Sequence, residues 1–486
     1  MFTLLHISDL HRSRDEPVDN DSLVAALLAD RDRYMGETPI VPSPDAIIVS
    51  GDLIQGAPIG HAKWQDMMRD QYRVAGEFLD HLARRFLAAD RGKLVIIPGN
   101  HDVCWNTSFS AMRRVPESAY PADLRAALVE PDSNYRWSWK ERALYRIEDF
   151  GAYKQRMNFY WEFVEGFYAG VALLKPIDRK RGYQLFELHN RQIVVAAFDS
   201  IQGNDCFGYA GAIPRGAVAR CNLDLRDIPH SYNLRVAVWH HSIQGPPLRE
   251  DYMEVGQIHE MVGLRFQLGM HGHQHVAAAA THYVHLSETQ SMAVVSAGSL
   301  CAEARELPRG VNRQYNVIVI EDDFRRARVH AREMVEGEQF TRKSNGAFAE
   351  GFIELSWQPP VDIVGRPIDP RDENVRRATL LAEDALRAAD PRRALSLLEG
   401  LSLTAGSYAR RIAIQATLDI DDPALIVKMI EGPTSAEEAI ILIPALIRTN
   451  EPDRAATILE NFSDIDSATR DALKGKIEIK KAMRAQ

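Results

Sequence analysis

Five short clusters in the first 275 residues combine carboxylates, imidazoles and an amide: Asp9-Leu-His11, Gly51-Asp52, Gly99-Asn100-His101-Asp102, His240-His241 and Gly272-His273-Gln274-His275. Residues two apart on an extended backbone point to the same side, so Asp9 with His11 can grip one cation. His273 with His275 can do the same from another segment. Carboxylate, imidazole and amide oxygen together suit Mn, Fe or Zn better than Ca. Asp9, His11, Asp52, Asn100, His240, His273 and His275 are too many ligands for one four-coordinate ion. Two divalent transition-metal ions sharing one carboxylate are therefore expected. A Gly-Asp pair alone marks any turn, and a lone histidine is more often a packing residue. The conjunction is what points to chemistry.

The neighbouring residues carry weaker signals. His241 falls on the opposite side from His240 if the strand continues through both. His6 and His271 read as packing residues or as supports behind the ligands. Asp199 reads as structural, and His282 and His285 lack a motif context. Ser296-Ala-Gly-Ser-Leu300 is either a turn that brings backbone amides near the site or a simple turn.

Each cluster follows an apolar run that reads as a strand: Phe2–Ser8, Asp45–Ser50, Lys93–Pro98, Leu234–His240 and Arg265–His271. Further candidates are Gln192–Asp199, Met292–Ala297 and Tyr315–Glu321. Runs rich in Val and Ile suit strands buried on both faces. Between them, His61–Asp90 repeats apolar residues at helical spacing. Strands alternating with helices imply parallel pairing in part of the sheet, whose carboxyl-edge loops would gather ligands that are distant in sequence.

Residues 104–182 break this rhythm. They are dense in aromatics, including Trp137, Trp139, Phe159, Tyr160, Trp161 and Phe163, and read as a mostly helical insertion. Its aromatics suit a local core, a lid over the site, or both. A proline-rich stretch from Trp357 to Pro370 reads as a linker. Beyond it, three similar segments begin at Asp390-Pro391, Asp422-Pro423 and Glu451-Pro452, each an acidic residue and a proline ahead of an apolar helix. The prolines are spaced 32 and then 29 apart, a period that fits stacked helical hairpins like tetratricopeptide repeats, or else an ordinary bundle.

Length implies two to four domains. Domains are expected at 1–345 and 371–486, joined by a linker at 346–370. Charge sums to −9, which excludes a chain that is basic overall yet leaves room for a local groove that binds nucleic acid. The four cysteines form no C-x-x-C pair, as suits a reducing compartment. Without a leader-like N-terminus or an apolar stretch of spanning length, a cytoplasmic protein with no membrane partner is expected.

The order D-x-H, G-D, G-N-H-D, H, G-H-x-H resembles the calcineurin-like metallophosphoesterase superfamily over roughly residues 1–345. The resemblance implies an α/β fold, a β-sandwich flanked by helices in α/β/β/α layers, here followed by the all-α C-terminal part. It also implies one metal on Asp9, His11, Asp52 and His275, and a second on Asp52, Asn100, His240 and His273. His101 and Asp102 would be catalytic, His101 beside the phosphate and Asp102 orienting it, with a hydroxide shared by the ions as attacking group. Manganese is the first expectation, iron or zinc the next.

Protein phosphatases of the superfamily continue the second motif as Asp-Arg-Gly and end the third in Glu. Here the residues are Leu53-Ile-Gln-Gly56 and Asp102, closer to the phosphodiesterase and nuclease branches. A phosphodiesterase acting on a nucleotide or nucleic acid is expected, with the repeats binding a protein partner or a second copy. The alternatives are a phosphomonoesterase or phosphoprotein phosphatase, and a scaffold with a vestigial core.

Overall fold

The computed structural model describes residues 1–485 except 14–17, 130–132, 244–250, 284–290, 304, 336, 358–377, 380, 384, 387–389, 402, 404–407 and 463–464. The chain divides into two compact units. One takes in Met1–His282 and Ser291–Val361, the other Tyr283–Gln290 and Asp362–Gln486.

The strands of the first unit are β1 (Phe2–Ile7), β2 (Ala46–Val49), β3 (Leu94–Ile96), β4 (Met112–Arg114), β5 (Tyr135–Ser138) and β6 (Ala143–Ile147). They continue as β7 (Tyr183–Leu188), β8 (Ile193–Phe198), β9 (Leu234–Val238), β10 (Leu268–His271) and β11 (Ala278–Tyr283). The last are β12 (Ser291–Ser296), β13 (Gln314–Ile320), β14 (Arg326–Val335), β15 (Gln339–Arg342) and β16 (Ile353–Ser356).

One sheet runs β15-β14-β13-β1-β2-β3, with β16 also on β14, and a second runs β11-β12-β10-β9-β8-β7. In the first, β1, β2 and β3 are parallel while β13 runs antiparallel to β1. In the second, β8, β9, β10 and β12 are parallel. Leu5 and Ile7 of the first sheet share one apolar core with Val195, Val236, Met270 and Val295 of the second. Helix Trp64–Phe86 adds Met68, Tyr72, Ala75, Phe78, Leu79 and Leu82 to that core at three- and four-residue spacing. On the second sheet, the Arg235 guanidinium donates to Asn222 of helix Ala217–Arg226 and to the Leu264 carbonyl after helix Val255–Gly263. The expected α/β/β/α sandwich is the architecture found.

The insertion differs from the expected helical segment. Its first half combines the short helices Trp105–Ser110 and Leu124–Val129 with an antiparallel sheet ordered β4-β6-β5. Tyr135, Trp137 and Trp139 alternate at period two, and aromatic residues suit a pleated, half-buried surface. Its second half is helical, and Asn158–Phe167 packs on helix Trp64–Phe86 through Tyr72 against Phe163, with ring centroids 5.2 Å apart. Tyr160, Phe167 and Tyr168 join the main core, so these aromatics support the sandwich from the side.

The expected end of the first domain at 345 also falls short. β16 pairs with β14 from Ile353 to Ser356, and the Trp357 indole donates to the Phe324 carbonyl at 2.6 Å. Sheet pairing thus reaches eleven residues into the expected linker; its proline-rich part beyond Trp357 lies outside the described residues.

The second unit is helical: Pro391–Leu398, Tyr408–Ile420, Pro423–Met429, Ala436–Arg448, Pro452–Asn461 and Ser467–Ala485. Asp390 caps the first of these by accepting from Arg393 N, and Asp422 caps the third by accepting from Ala424 N and Leu425 N. Glu451 precedes the fifth without a side-chain cap. Ile430, Leu442, Ile443, Leu446 and Leu459 form an apolar cluster of this unit. Among the described residues, no helix is long and apolar enough to cross a membrane.

Candidate metal centre

The parallel strands β1, β2 and β3 end together, and so do β9 and β10. Asp9 and His11 follow β1, Asp52 follows β2, Asn100 to Asp102 form a turn after β3, His240 follows β9, and His273 and His275 follow β10. The loops after β1 and β2 are locked by Asp9 N donating to Gly51 O, and by Leu10 N and His11 N donating to Asp52 O at 2.8 and 3.0 Å. Five of these residues take left-handed backbone: Asp9 at φ 52°, His11 at 45°, Asp52 at 51°, His273 at 73° and His275 at 57°. Non-glycine residues adopt this conformation sparingly, and it clusters where a site needs side chains aimed against local preference. The glycines before them make room. A Cβ on Gly99 would lie 2.2 Å from Asp52 Oδ1, and one on Gly272 would lie 1.8 Å from Ser8 Oγ.

The side chains converge. His275 Nε2 lies 3.3 Å from Asp9 Oδ1. Asp52 Oδ2 lies 3.2 Å from His240 Nε2 and 4.0 Å from His11 Nε2, so it stands between two histidine groups. Asn100 Oδ1 lies 3.0 Å from both His240 Nε2 and His273 Nδ1. Donor atoms of Asp9, His11 and His275, of Asp9, Asp52 and His240, and of His11, Asp52 and His101 each lie within 4.8 Å of one another. Backbone amides brace the carboxylates: His101 N donates to Asp52 Oδ1 at 2.8 Å, and His273 N to Asp9 Oδ2 at 3.0 Å.

The donor set fits divalent cations. His11 is 2% exposed, and among the described residues neither of its ring nitrogens meets a hydrogen-bond partner. Burying a polar atom unpaired is costly, and an ion accepting its lone pair would relieve that cost. Burial alone would raise the Asp52 carboxyl, yet the charges of His240 and His101 hold it well below the usual range. Burial opposes a charged His240, but Asp52 beside it raises the ring to about 9. Burial and then His101 lower His11 to about 4. Two ionised carboxylates and a neutral His11 are the protonation states that a cation requires.

Carbonyls behind the ring hold several histidines. His240 Nδ1 donates to Ser50 O at 2.8 Å, and His275 Nδ1 faces Glu306 O at 3.1 Å. His101 Nδ1 faces Gln55 O at 2.9 Å, which leaves Nε2 for the open side. The role expected of Asp102 is therefore corrected. Its Oδ2 accepts from Gly99 N and Leu53 N, its Oδ1 from the Tyr72 hydroxyl, and burial followed by the charge of Asp52 raises it to about 7. The tight turn after Gly99 points this carboxyl into the core, where it holds two loops together and does not touch His101.

His241 also departs from expectation. β9 ends at Val238, so the strand alternation stops before the pair, and the His241 ring packs 4.9 Å from that of His273. Its Nδ1 lies 2.9 Å from Ser200 Oγ. His6 supports from behind, with Nε2 2.9 Å from Ser50 Oγ, and His271 stacks on Trp239. Asp199 is half-buried and accepts from Ile201 N, a structural role. The turn at 296–300 contributes a side chain and not amides: Ser299 Oγ donates to Asp9 O at 2.7 Å, while Leu300 N is taken by Ser8 O. His285 lies outside the described residues. The insertion brings Trp105 to 6.2 Å from the His101 ring. Gln55, Glu306 and Asp251 were not anticipated; Asp251 Oδ2 lies 3.4 Å from His273 Nε2.

A sandwich with two carboxylates, an amide and clustered histidines gathered from the strand ends of both sheets defines a metal-dependent phosphoesterase class. The calcineurin-like phosphoesterase family model matches residues 2–277, and the chain belongs to that family. The family uses a binuclear divalent metal centre, and the candidate ligands for one are present here. No curated protein matches the chain. Similar solved structures include a dimetal phosphatase from Danio rerio, 10% identical over 74% of this chain and 99% of that one, with a TM-score of 0.39. The calcineurin-like phosphoesterase YfkN from Bacillus subtilis is 11% identical over 70% of this chain and 87% of that one, with a TM-score of 0.31. A single mutant of Vps29 from Entamoeba histolytica is 8% identical over 74% of this chain and all of that one, with a TM-score of 0.26.

Proposed function

We propose that this chain is a phosphodiesterase acting on a nucleotide or nucleic acid. Asp9, His11, Asp52 and His275 hold one ion, and Asp52, Asn100, His240 and His273 hold the second. The carrying observation is Asp52 Oδ2 lying between His240 Nε2 at 3.2 Å and His11 Nε2 at 4.0 Å, the position of a shared carboxylate. When bound, two such ions supply Lewis-acid stabilisation of the phosphoryl oxygens and an activated water. Manganese suits this mixed oxygen and nitrogen set. His101, its Nδ1 held by the Gln55 carbonyl, keeps Nε2 for the substrate and donates a proton to the leaving oxygen. Trp105, 6.2 Å from the His101 ring, supplies an aromatic edge for a base beside that phosphate.

The helices of the second unit act as hairpin repeats that bind a protein partner or a second copy. A cytoplasmic setting belongs to this reading, supported by four cysteines that are all free and buried. A metal-supplemented panel tests the function: bis(p-nitrophenyl) phosphate, cyclic nucleotides, dinucleotides, DNA, RNA, p-nitrophenyl phosphate and phosphopeptides. Hydrolysis of diesters is expected. Turnover confined to monoesters would move the chain to the phosphomonoesterases, and no turnover by protein that holds no metal would leave the scaffold reading.

A further inference from the structure

The histidines around the centre do not all face it with the same nitrogen. His240 and His275 turn Nδ1 onto backbone carbonyls and Nε2 toward Asp52 and Asp9. His273 is reversed. Its Nδ1 lies 3.0 Å from Asn100 Oδ1, whereas Nε2 faces Asp251 Oδ2 at 3.4 Å. An imidazole that ligates through one nitrogen carries its proton on the other, and an acceptor behind the ring fixes that tautomer and the ring's direction. For His240 and His275 the acceptor is a carbonyl. For His273 the group at that position is a carboxylate, a stronger acceptor that also raises the basicity of the ligating nitrogen.

The backbone around Asp251 is fastened on its C-terminal side. Gly211 N donates to Tyr252 O at 2.8 Å, Met253 N to Ser242 O at 2.7 Å, and Glu254 N to Gly211 O at 3.0 Å. The side chains of His273 and Asp251 are 11% and 20% exposed, dry enough for a charged acceptor to act strongly. We infer that Asp251 is a positioning residue for the second ion: its carboxylate stands 3.4 Å from His273 Nε2, short of a formed hydrogen bond, and on ion binding draws the ring proton to that nitrogen and so presents Nδ1, beside Asn100 and His240, as the ligating atom. The inference rests on the reading that these three residues hold one of the two ions.

Manganese titration of the full chain, with free Mn followed by its electron paramagnetic resonance signal, tests it. Wild type is expected to take up two ions. Asp251→Ala should bind the first as wild type does and the second about 10–100-fold more weakly, the usual cost of losing such an outer partner. Asp251→Asn, whose amide oxygen still accepts, should lose less. Circular dichroism melting checks that both variants are folded. Saturating Mn should restore hydrolysis by Asp251→Ala to within a few-fold of wild type.

Unchanged affinity for the second ion in a folded Asp251→Ala, or equal weakening of both ions, overturns the role of Asp251 and leaves the phosphoesterase reading standing. A rate that stays low with both ions bound overturns it as well. A wild-type chain that takes up fewer than two ions removes the premise, and the inference falls with it.

Discussion

Asp52 meets partners that follow three different strands. One oxygen accepts the His101 amide, while the other lies near His240 and His11. Asp52→Asn keeps the shape and removes the charge shared between the ions. It should lower metal affinity by more than the ~10–100-fold typical of an outer partner, and lower turnover with it. Metal analysis and a rate assay on the dialysed protein check this; full metal content with near-wild-type turnover would refute the shared position. The candidate ligands were legible because each sits in a motif whose spacing has a geometric reason. Asp251, Gln55 and Glu306 were not, since a lone carboxylate or a backbone carbonyl has no spacing to read. The role of Asp102 came from the family resemblance, and its direction depends on a turn that composition does not encode.

Two loops act together at the scale of elements. Gln55 Nε2 donates to Glu306 Oε1 at 2.7 Å, and the carbonyls of the same two residues face His101 and His275. The side-chain bond thus clasps the segments that aim one ring at the substrate and another at an ion. Glu306→Ala should lower kcat by roughly 10-fold with two ions still bound, because it loosens orientation and removes no ligand. Steady-state kinetics beside metal analysis checks this, and an unchanged kcat would show the clasp to be idle. Among the elements, the buried strands β1, β2, β8, β9 and β13 were legible from runs rich in apolar residues. β7 and β14 mix polar positions that are at least partly exposed with buried ones, and in β5 an arginine sits between a tyrosine and a tryptophan. Those patterns are read correctly only when the neighbouring strand is known.

Acid stability belongs to the whole molecule. His330 on β14 is 1% exposed, and among the described residues neither ring nitrogen has a hydrogen-bond partner. Burial, then the charges of Arg328, Arg332 and Arg342, lower it to about 3. The unfolded chain takes up a proton at this ring below its ordinary value of 6.5, and the folded chain does not. Stability is therefore lost as pH falls from 6.5 toward 3, by about 2 kcal/mol at pH 5. His330→Leu should shrink the difference in unfolding free energy between pH 7 and pH 5 by about that amount, as measured by urea titration. An equal difference in both proteins would count against it. The two-part layout was legible from a change in composition after Trp357, but its boundary was not, because β16 is a four-residue strand whose place is set by its pairing with β14.

The His273 amide meets a carboxylate of Asp9 placed 264 positions earlier, and β13 runs beside the chain's opening strand. On the ribosome, Asp9, His11 and Asp52 emerge long before the residues that complete their coordination. A nascent chain thus carries exposed carboxylates that grip cations only weakly, and tight capture of both ions waits for the second sheet to be made.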